Sequence, residues 1–151
     1  MNASRLRLGL LVLLAAASSA ASSAVPAGEC TPTVREGWVR MPPMAMPMMA
    51  GFGRIENPCA MPVTIVSASS AAFGDVSLHE TRVVDGVSRM RALPELRIAA
   101  GDSAVLKPGG MHLMLMQPAA TLKPGSKVAI EFVLKDGGKL LGEFVVRAAG
   151  Q

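Results

Sequence analysis

Beyond residue 24, no stretch of this 151-residue chain keeps apolar residues at helical spacing for three turns. Short alternating or β-branched segments recur instead, bounded by glycine, proline and asparagine. Such segments bury an apolar face only by pairing into sheets, so the chain reads as all-β. The candidate strands are TVREGWVRM, AGFGRIEN, VTIVSASS, DVSLHETRVV, VSRMRAL, SAVLKP, MHLMLMQ, KVAIEFVLK and KLLGEFVVRA. Asp85-Gly86 and the run Asp136 to Gly138 fall between such segments and predict hairpin turns. Eight or nine short strands with regular turns predict a Greek-key β-sandwich. The segment MPPMAMPMMAG, residues 41–51, is the one low-complexity patch, and its prolines exclude it from a central strand. It is expected to be a loop, with Trp38 before it packing into the core and Phe52 after it opening the next strand.

The start of the chain predicts a secretory signal over residues 1–24: Arg5 and Arg7, an apolar run from Leu8 to Ala17, then small residues to Ala24. Cleavage after Ala20 or Ala27 satisfies the same loose rule. The apolar run is about half of the ~20 residues a spanning helix needs, so it is not read as a membrane span. Removing it takes Arg5 and Arg7 away and leaves 13 basic against 11 acidic residues, a net charge of +2. This near balance argues against a nucleic-acid binder, which concentrates lysine and arginine on one face. About 127 residues remain, enough for one core. Residues 25–32 are expected to form a flexible tail and residues 33–151 a single domain, exported to the periplasm.

Cys30 and Cys59 make an even pair in an oxidising compartment. A disulfide tying the N-terminal end to the turn ENPCAMP is the first reading. Two free thiols, an intermolecular bridge and soft metal ligation remain open, because spacing does not reveal Cα separation. Cys30 lacks the apolar and small residues expected just before a lipid-modified cysteine.

His79 and His112 are the chain's two histidines, and methionine accompanies both. In MHLMLMQ, strand alternation sends His112, Met114 and Met116 to one face and Met111, Leu113 and Leu115 to the other. In LHETRVVDGVSRM, His79 and Met90 lie on the two arms of a hairpin turning at Asp85-Gly86, so cross-strand approach is expected. Two imidazoles and two thioethers form a soft, uncharged set that suits Cu(I) better than zinc, calcium or magnesium. Taken singly, a strand methionine is usually core filling and a lone histidine a hydrogen-bonded surface residue. Their joint occurrence at turn-linked strand ends favours the metal. With both histidines in this motif, no serine or cysteine nucleophile has an independent histidine base, so the chain is not expected to be an enzyme. Glu80 and Asp75 read as solvated strand-end charges.

The succession His79, ten residues, Met90, twenty-one residues, His112, one residue, Met114 resembles the ligand motif of the PCu(A)C periplasmic copper chaperones. The blocks GWVRMPP, AGFGRIEN, VSLHETRVVDGVSRMRALPELRIAAGDSAVLKPGGMHLMLMQP and LKPGSKVAIEFVLKDGGKL resemble that family's successive segments, over about residues 37–147. The resemblance implies a cupredoxin-like β-sandwich. It also implies Cu(I) bound by His79, Met90, His112 and Met114. Delivery would be toward the binuclear copper centre of cytochrome c oxidase, through that centre's subunit or another copper-transfer protein. A copper-resistance protein that buffers or stores the metal would use the same ligands; a purely structural sandwich would require the spacing to be accidental. Met44, Met46, Met48 and Met49 exceed what the family pattern requires, and read as an auxiliary soft site, a flap over the copper, a flexible apolar loop or a docking surface. Met61, Met111 and Met116 read as packing.

Overall fold

The computed structural model describes residues 30–150. The expected signal over 1–24 and most of the expected tail lie outside the described residues. The described chain forms ten strands: β1 Thr33–Arg40, β2 Met48–Glu56, β3 Val63–Ser69, β4 Phe73–Val84, β5 Val87–Ala92, β6 Leu96–Ile98, β7 Ser103–Leu106, β8 Met111–Pro118, β9 Lys127–Leu134 and β10 Lys139–Arg147. Nine of them coincide with the expected segments. The tenth, β6, is too short for three residues to display an alternation, and it came into view only as a partner of β3. β2 begins at Met48, inside the methionine and proline segment: Pro47 ends the irregular stretch and Met49 already packs into the core.

The strands follow one another in the sheet as β5-β4-β8-β2-β1-β10-β9-β3-β6, with β7 on β2. A further pairing of β3 with β4, through Ala68 and Val76, closes the sheet on itself. Sheet neighbours are often distant in sequence, which is the connectivity of a Greek key rather than a meander. Apart from the parallel β1–β10 pair, the pairings are antiparallel.

Alternation sorts each strand into an inner and an outer set. Val39, Met49, Ile55, Ile65, Val76, Leu78, Leu113, Leu115, Ile130, Phe132, Phe144 and Val146 belong to one core cluster. Fully burying each such side chain contributes about 1.5–3 kcal/mol. The expected all-β sandwich is therefore present, with its interior filled by aliphatic and phenylalanine side chains.

Trp38 is not part of that core. Register places Arg35 opposite Arg54 and Trp38 opposite Phe52, so Glu36 and Gly37 together face Gly53 alone. This β-bulge, with Glu36 at φ 52°, shifts the alternation by one residue. Val34 above it and Val39 below it face inward, and Trp38 turns outward onto Phe52, ring centroids 4.6 Å apart.

At the Asp85-Gly86 hairpin both residues have positive φ, 52° and 76°, as the two-residue turn that matches strand twist requires. The turn joining β9 to β10 is longer, residues 135–138, and is closed by the Leu134 N–H donating to Gly138 O at 2.8 Å. Cys30 and Cys59 form a disulfide with Cα atoms 5.6 Å apart. Beside it lies Asn57, a fully buried polar side chain. Its Nδ2 donates to the carbonyls of Met61 and Ala99 at 2.9 and 3.0 Å, and its Oδ1 accepts from the Cys59 N–H. Met61 itself is 73% exposed, so it does not pack as expected: the turn is held by its carbonyl, and the side chain is left outside.

Candidate metal centre

β4 and β8 run antiparallel in a register that sets Asp75 opposite Met116, Ser77 opposite Met114, and His79 opposite His112. The next strand continues the same rows, with Ala50 opposite Met114 and Met48 opposite Met116. All these positions share the outer face, because the alternate residues Val76, Leu78, Leu113 and Leu115 fill the core. Met111 packs against the core as expected, whereas Met116 is outward and only half-buried.

The two imidazoles are stacked at an interplanar angle of 29°, centroids 6.1 Å apart. Phe52 lies 6.4 Å from the His112 ring and backs it from the β2 side. The His112 Nδ1–H donates to Gly110 O at 3.0 Å; a carbonyl only accepts, so the proton sits on Nδ1 and Nε2 keeps its lone pair. Gly110 O is itself held by the Thr81 N–H at 3.0 Å. His79 Nε2 lies 3.1 Å from Ser77 Oγ, and its Nδ1 is buried without a hydrogen-bond partner. Burial holds the His79 pKa below its usual 6.5, with the neighbouring His112 acting in the same direction and Asp75 opposing both. Each ring thus has one nitrogen engaged by a neighbour, and partners of this kind orient an imidazole ligand.

Met90 lies opposite Thr81 rather than His79, whose direct partner on β5 is Ala92. It shares the outer face one diagonal step from His79, and its side chain is 53% exposed. Met90, His112 and Met114 line one cleft of about 420 Å³, walled on its far side by Met41, Met46 and Met48. His79 does not line the cleft but stands against it through the His112 ring. The four residues expected from the sequence therefore converge on one patch of the outer face. Among the described residues no group of three or more His, Cys, Asp or Glu is arranged to hold a metal. The donors gathered here are two nitrogens and neutral sulfur, a set for a soft ion.

Ser77 and the Gly110 carbonyl, which orient the imidazoles, escaped the reading of the sequence. Alternation alone could have found Ser77, two residues before His79 on the same face. Glu80 is not simply solvated: Arg82 and Arg91 reach it at 2.8 and 2.9 Å, and Arg91 first, then Arg82, holds its carboxyl below the usual range. It faces away from the histidines, on the opposite alternation of β4.

This fold is that of the PCuAC domains. The copper-bound PCuAC domain from PmoF2 matches with a TM-score of 0.62 and 17% identity, over 76% of this chain and 91% of that one. The CuI form of DR1885 from Deinococcus radiodurans matches with a TM-score of 0.63 and 27% identity, over 85% of this chain and 83% of that one. Residues 32–146 match the LpqE-like family, described as “Putative lipoprotein LpqE-like”, and the chain belongs to that family. The curated relative “Putative lipoprotein Lxx21020” of Leifsonia xyli subsp. xyli (strain CTCB07) is 35% identical over 105 residues, 69% of this chain. The chain spans 62% of that relative's length. The resemblance to the PCu(A)C family read from the sequence thus holds, and with it the cupredoxin-like all-β fold.

Proposed function

We propose that this protein is a periplasmic copper chaperone that carries Cu(I) on His79, Met90, His112 and Met114 and delivers it toward the binuclear copper centre of cytochrome c oxidase. The observation that carries the reading is the direct cross-strand pairing of His79 with His112, each with a free ring nitrogen, on the face that also presents two thioethers. Support also comes from the structural neighbours, of which the PmoF2 domain is copper-bound and the DR1885 structure is the CuI form. Copper is cargo here, so the ligand set has to bind and let go. Neutral imidazoles and thioethers serve this, because no thiolate or carboxylate anchors the ion.

Export fits the sequence of residues 1–24, and among the described residues no helix is long and apolar enough to cross a membrane. The lipoprotein description of the relatives is not carried over: both cysteines of this chain are engaged with each other, which leaves no thiol for a lipid. In this reading both imidazoles, His79 with its Ser77 contact included, are committed to the metal, which leaves no independent histidine base for a nucleophile. X-ray absorption of the Cu(I)-loaded domain tests the site, with two nitrogen and two sulfur neighbours expected. A shell without nitrogen would overturn it. Transfer to an apo oxidase fragment tests the destination.

A buffering or storage role is the second reading. It is favoured by the exposed loop thioethers of Met44 and Met46 next to the site. Failure of transfer alongside tight retention of copper would select it.

A further inference from the structure

The geometry points to a second Cu(I) site, built from thioethers alone, on the wall of the cleft that faces the histidines. Its ligands are Met46 and Met48; Met41 borders the same cleft but packs against the core. This rests on the copper reading above but uses none of its four residues.

Three observations converge on it. Met41, Met46 and Met48 line the same cleft as His112 and Met114, so they border one solvent-open space of about 420 Å³ together with two residues of the first site. The segment that carries them bends at residues 43, 44 and 47 and is stiffened by Pro42, Pro43 and Pro47, which fix φ. Met46 and Met48 flank the bend at Pro47, and both line the cleft. The third observation separates ligation from packing. Met49, which does pack, is 8% exposed, whereas Met46 is 44% exposed and Met48 belongs to the outer set of β2. A thioether at a cleft wall that is only partly buried gains less from burial than a core methionine does, yet it is well placed to meet a polarisable ion. Neutral sulfur without carboxylate or imidazole selects Cu(I) over the hard and borderline divalent ions. Arg40 also borders the cleft, but its guanidinium lies over the Phe52 ring at 5.1 Å, and the ion to be held carries only one charge. Binding is ligand exchange: copper leaves a soluble carrier for the thioethers, and no bond is oxidised or reduced.

The test is a Cu(I) titration against a colorimetric chelator under anaerobic conditions, with the disulfide intact. It compares the unaltered protein, the Met46→Leu/Met48→Leu variant and the His79→Ala/His112→Ala variant. Leucine keeps volume and apolarity, so the outer face is not disturbed. The unaltered protein is expected to take up two equivalents. The leucine variant should lose one of them while its X-ray absorption still reports nitrogen neighbours. The histidine variant should keep one equivalent, with a sulfur-only shell. In 1H–13C spectra the Met46 and Met48 methyl resonances should move with one equivalent and those of Met90 and Met114 with the other. A single equivalent that disappears in the histidine variant and persists in the leucine variant overturns this site and leaves the chaperone reading standing. Two equivalents that both survive in the leucine variant also overturn it. A sulfur-only equivalent kept by the histidine variant, with no nitrogen in the shell of the unaltered protein, upholds this site and defeats the histidine one.

Discussion

His79 and His112 face each other directly across the β4–β8 ladder, their rings stacked 6.1 Å apart on the outside of a closed sheet. Neither belongs to the core cluster, so their replacement tests binding without dismantling the fold. His112→Ala is expected to weaken Cu(I) binding by about 100-fold or more, by the scale on which even supporting residues of metal sites act. Chelator competition measures the affinity, and circular dichroism should be unchanged. Retained affinity would remove histidine from the site.

The protonation of His79 gives a pH dependence of known sign. Its folded-state pKa is held below the ordinary 6.5, by burial first, then by His112, with Asp75 opposing. Between the two values the unfolded chain binds more protons than the folded one, so the stability of the apo protein rises with pH across that window. The contribution is complete above 6.5 and is lost as pH falls below it. The urea midpoint of the apo protein is therefore expected to drop on going from about pH 7.5 to about pH 5.5, and His79→Gln should flatten that part of the curve. Copper binding follows the same direction, because protons compete for the same lone pairs. A midpoint difference between the two proteins that does not change with pH would defeat the assignment.

In the proposed site Ser77 would act on copper only through His79. Its hydroxyl lies 3.1 Å from Nε2, which leaves Nδ1 as the free nitrogen. Ser77→Ala is expected to lower Cu(I) affinity by about 10-fold, as loss of an orienting partner does. The 15N resonances of the His79 ring should change with it, reporting altered tautomer populations. Ser77→Thr, which keeps the hydroxyl, should restore both.

The Cys30–Cys59 bridge closes a loop with a sequence separation of 29 residues and borders no part of the copper cleft. The Cys30→Ser/Cys59→Ser variant is expected to lose about 2–4 kcal/mol of stability in denaturant unfolding. Its Cu(I) affinity should match that of the unaltered protein. A large loss of affinity would make the cysteines part of the metal chemistry.

Asn57 is the nearest thing to a keystone away from the site. Asn57→Ala leaves the carbonyls of Met61 and Ala99 without the donor they now share, at a cost of about 1–3 kcal/mol for each group left buried. Amides of residues 57–62 should lose hydrogen-exchange protection first. Uniform protection in the variant would show that the turn does not depend on Asn57.

Much of this arrangement was legible in the sequence because alternation is a local property. Leu113 and Leu115 face inward, and His112 and Met114 outward, as the pattern of MHLMLMQ dictates. The hairpin at Asp85-Gly86 was equally plain, since that dipeptide tolerates the positive φ that the turn needs. What stayed hidden depends on pairing. The bulge at Glu36 and Gly37, which turns Trp38 outward, exists only relative to Gly53 on another strand. The offset that places Met90 opposite Thr81 instead of His79 follows from the register of β5 on β4, which a count of residues does not specify. β6, with three residues, carries too little pattern to be seen at all.

β5 has a neighbour on one side only, and all six of its residues are exposed, whereas β8 is flanked by β4 and β2. Met90 therefore sits on an edge strand, while His112 and Met114 are braced from both sides. If Met90 is a ligand as proposed, an acceptor docking at that outer rung would dislodge one sulfur and open a coordination position without unseating the imidazoles. In the proposed chaperone role handover would proceed from the rim inward, and the β5 margin would be the side of the molecule turned to an acceptor.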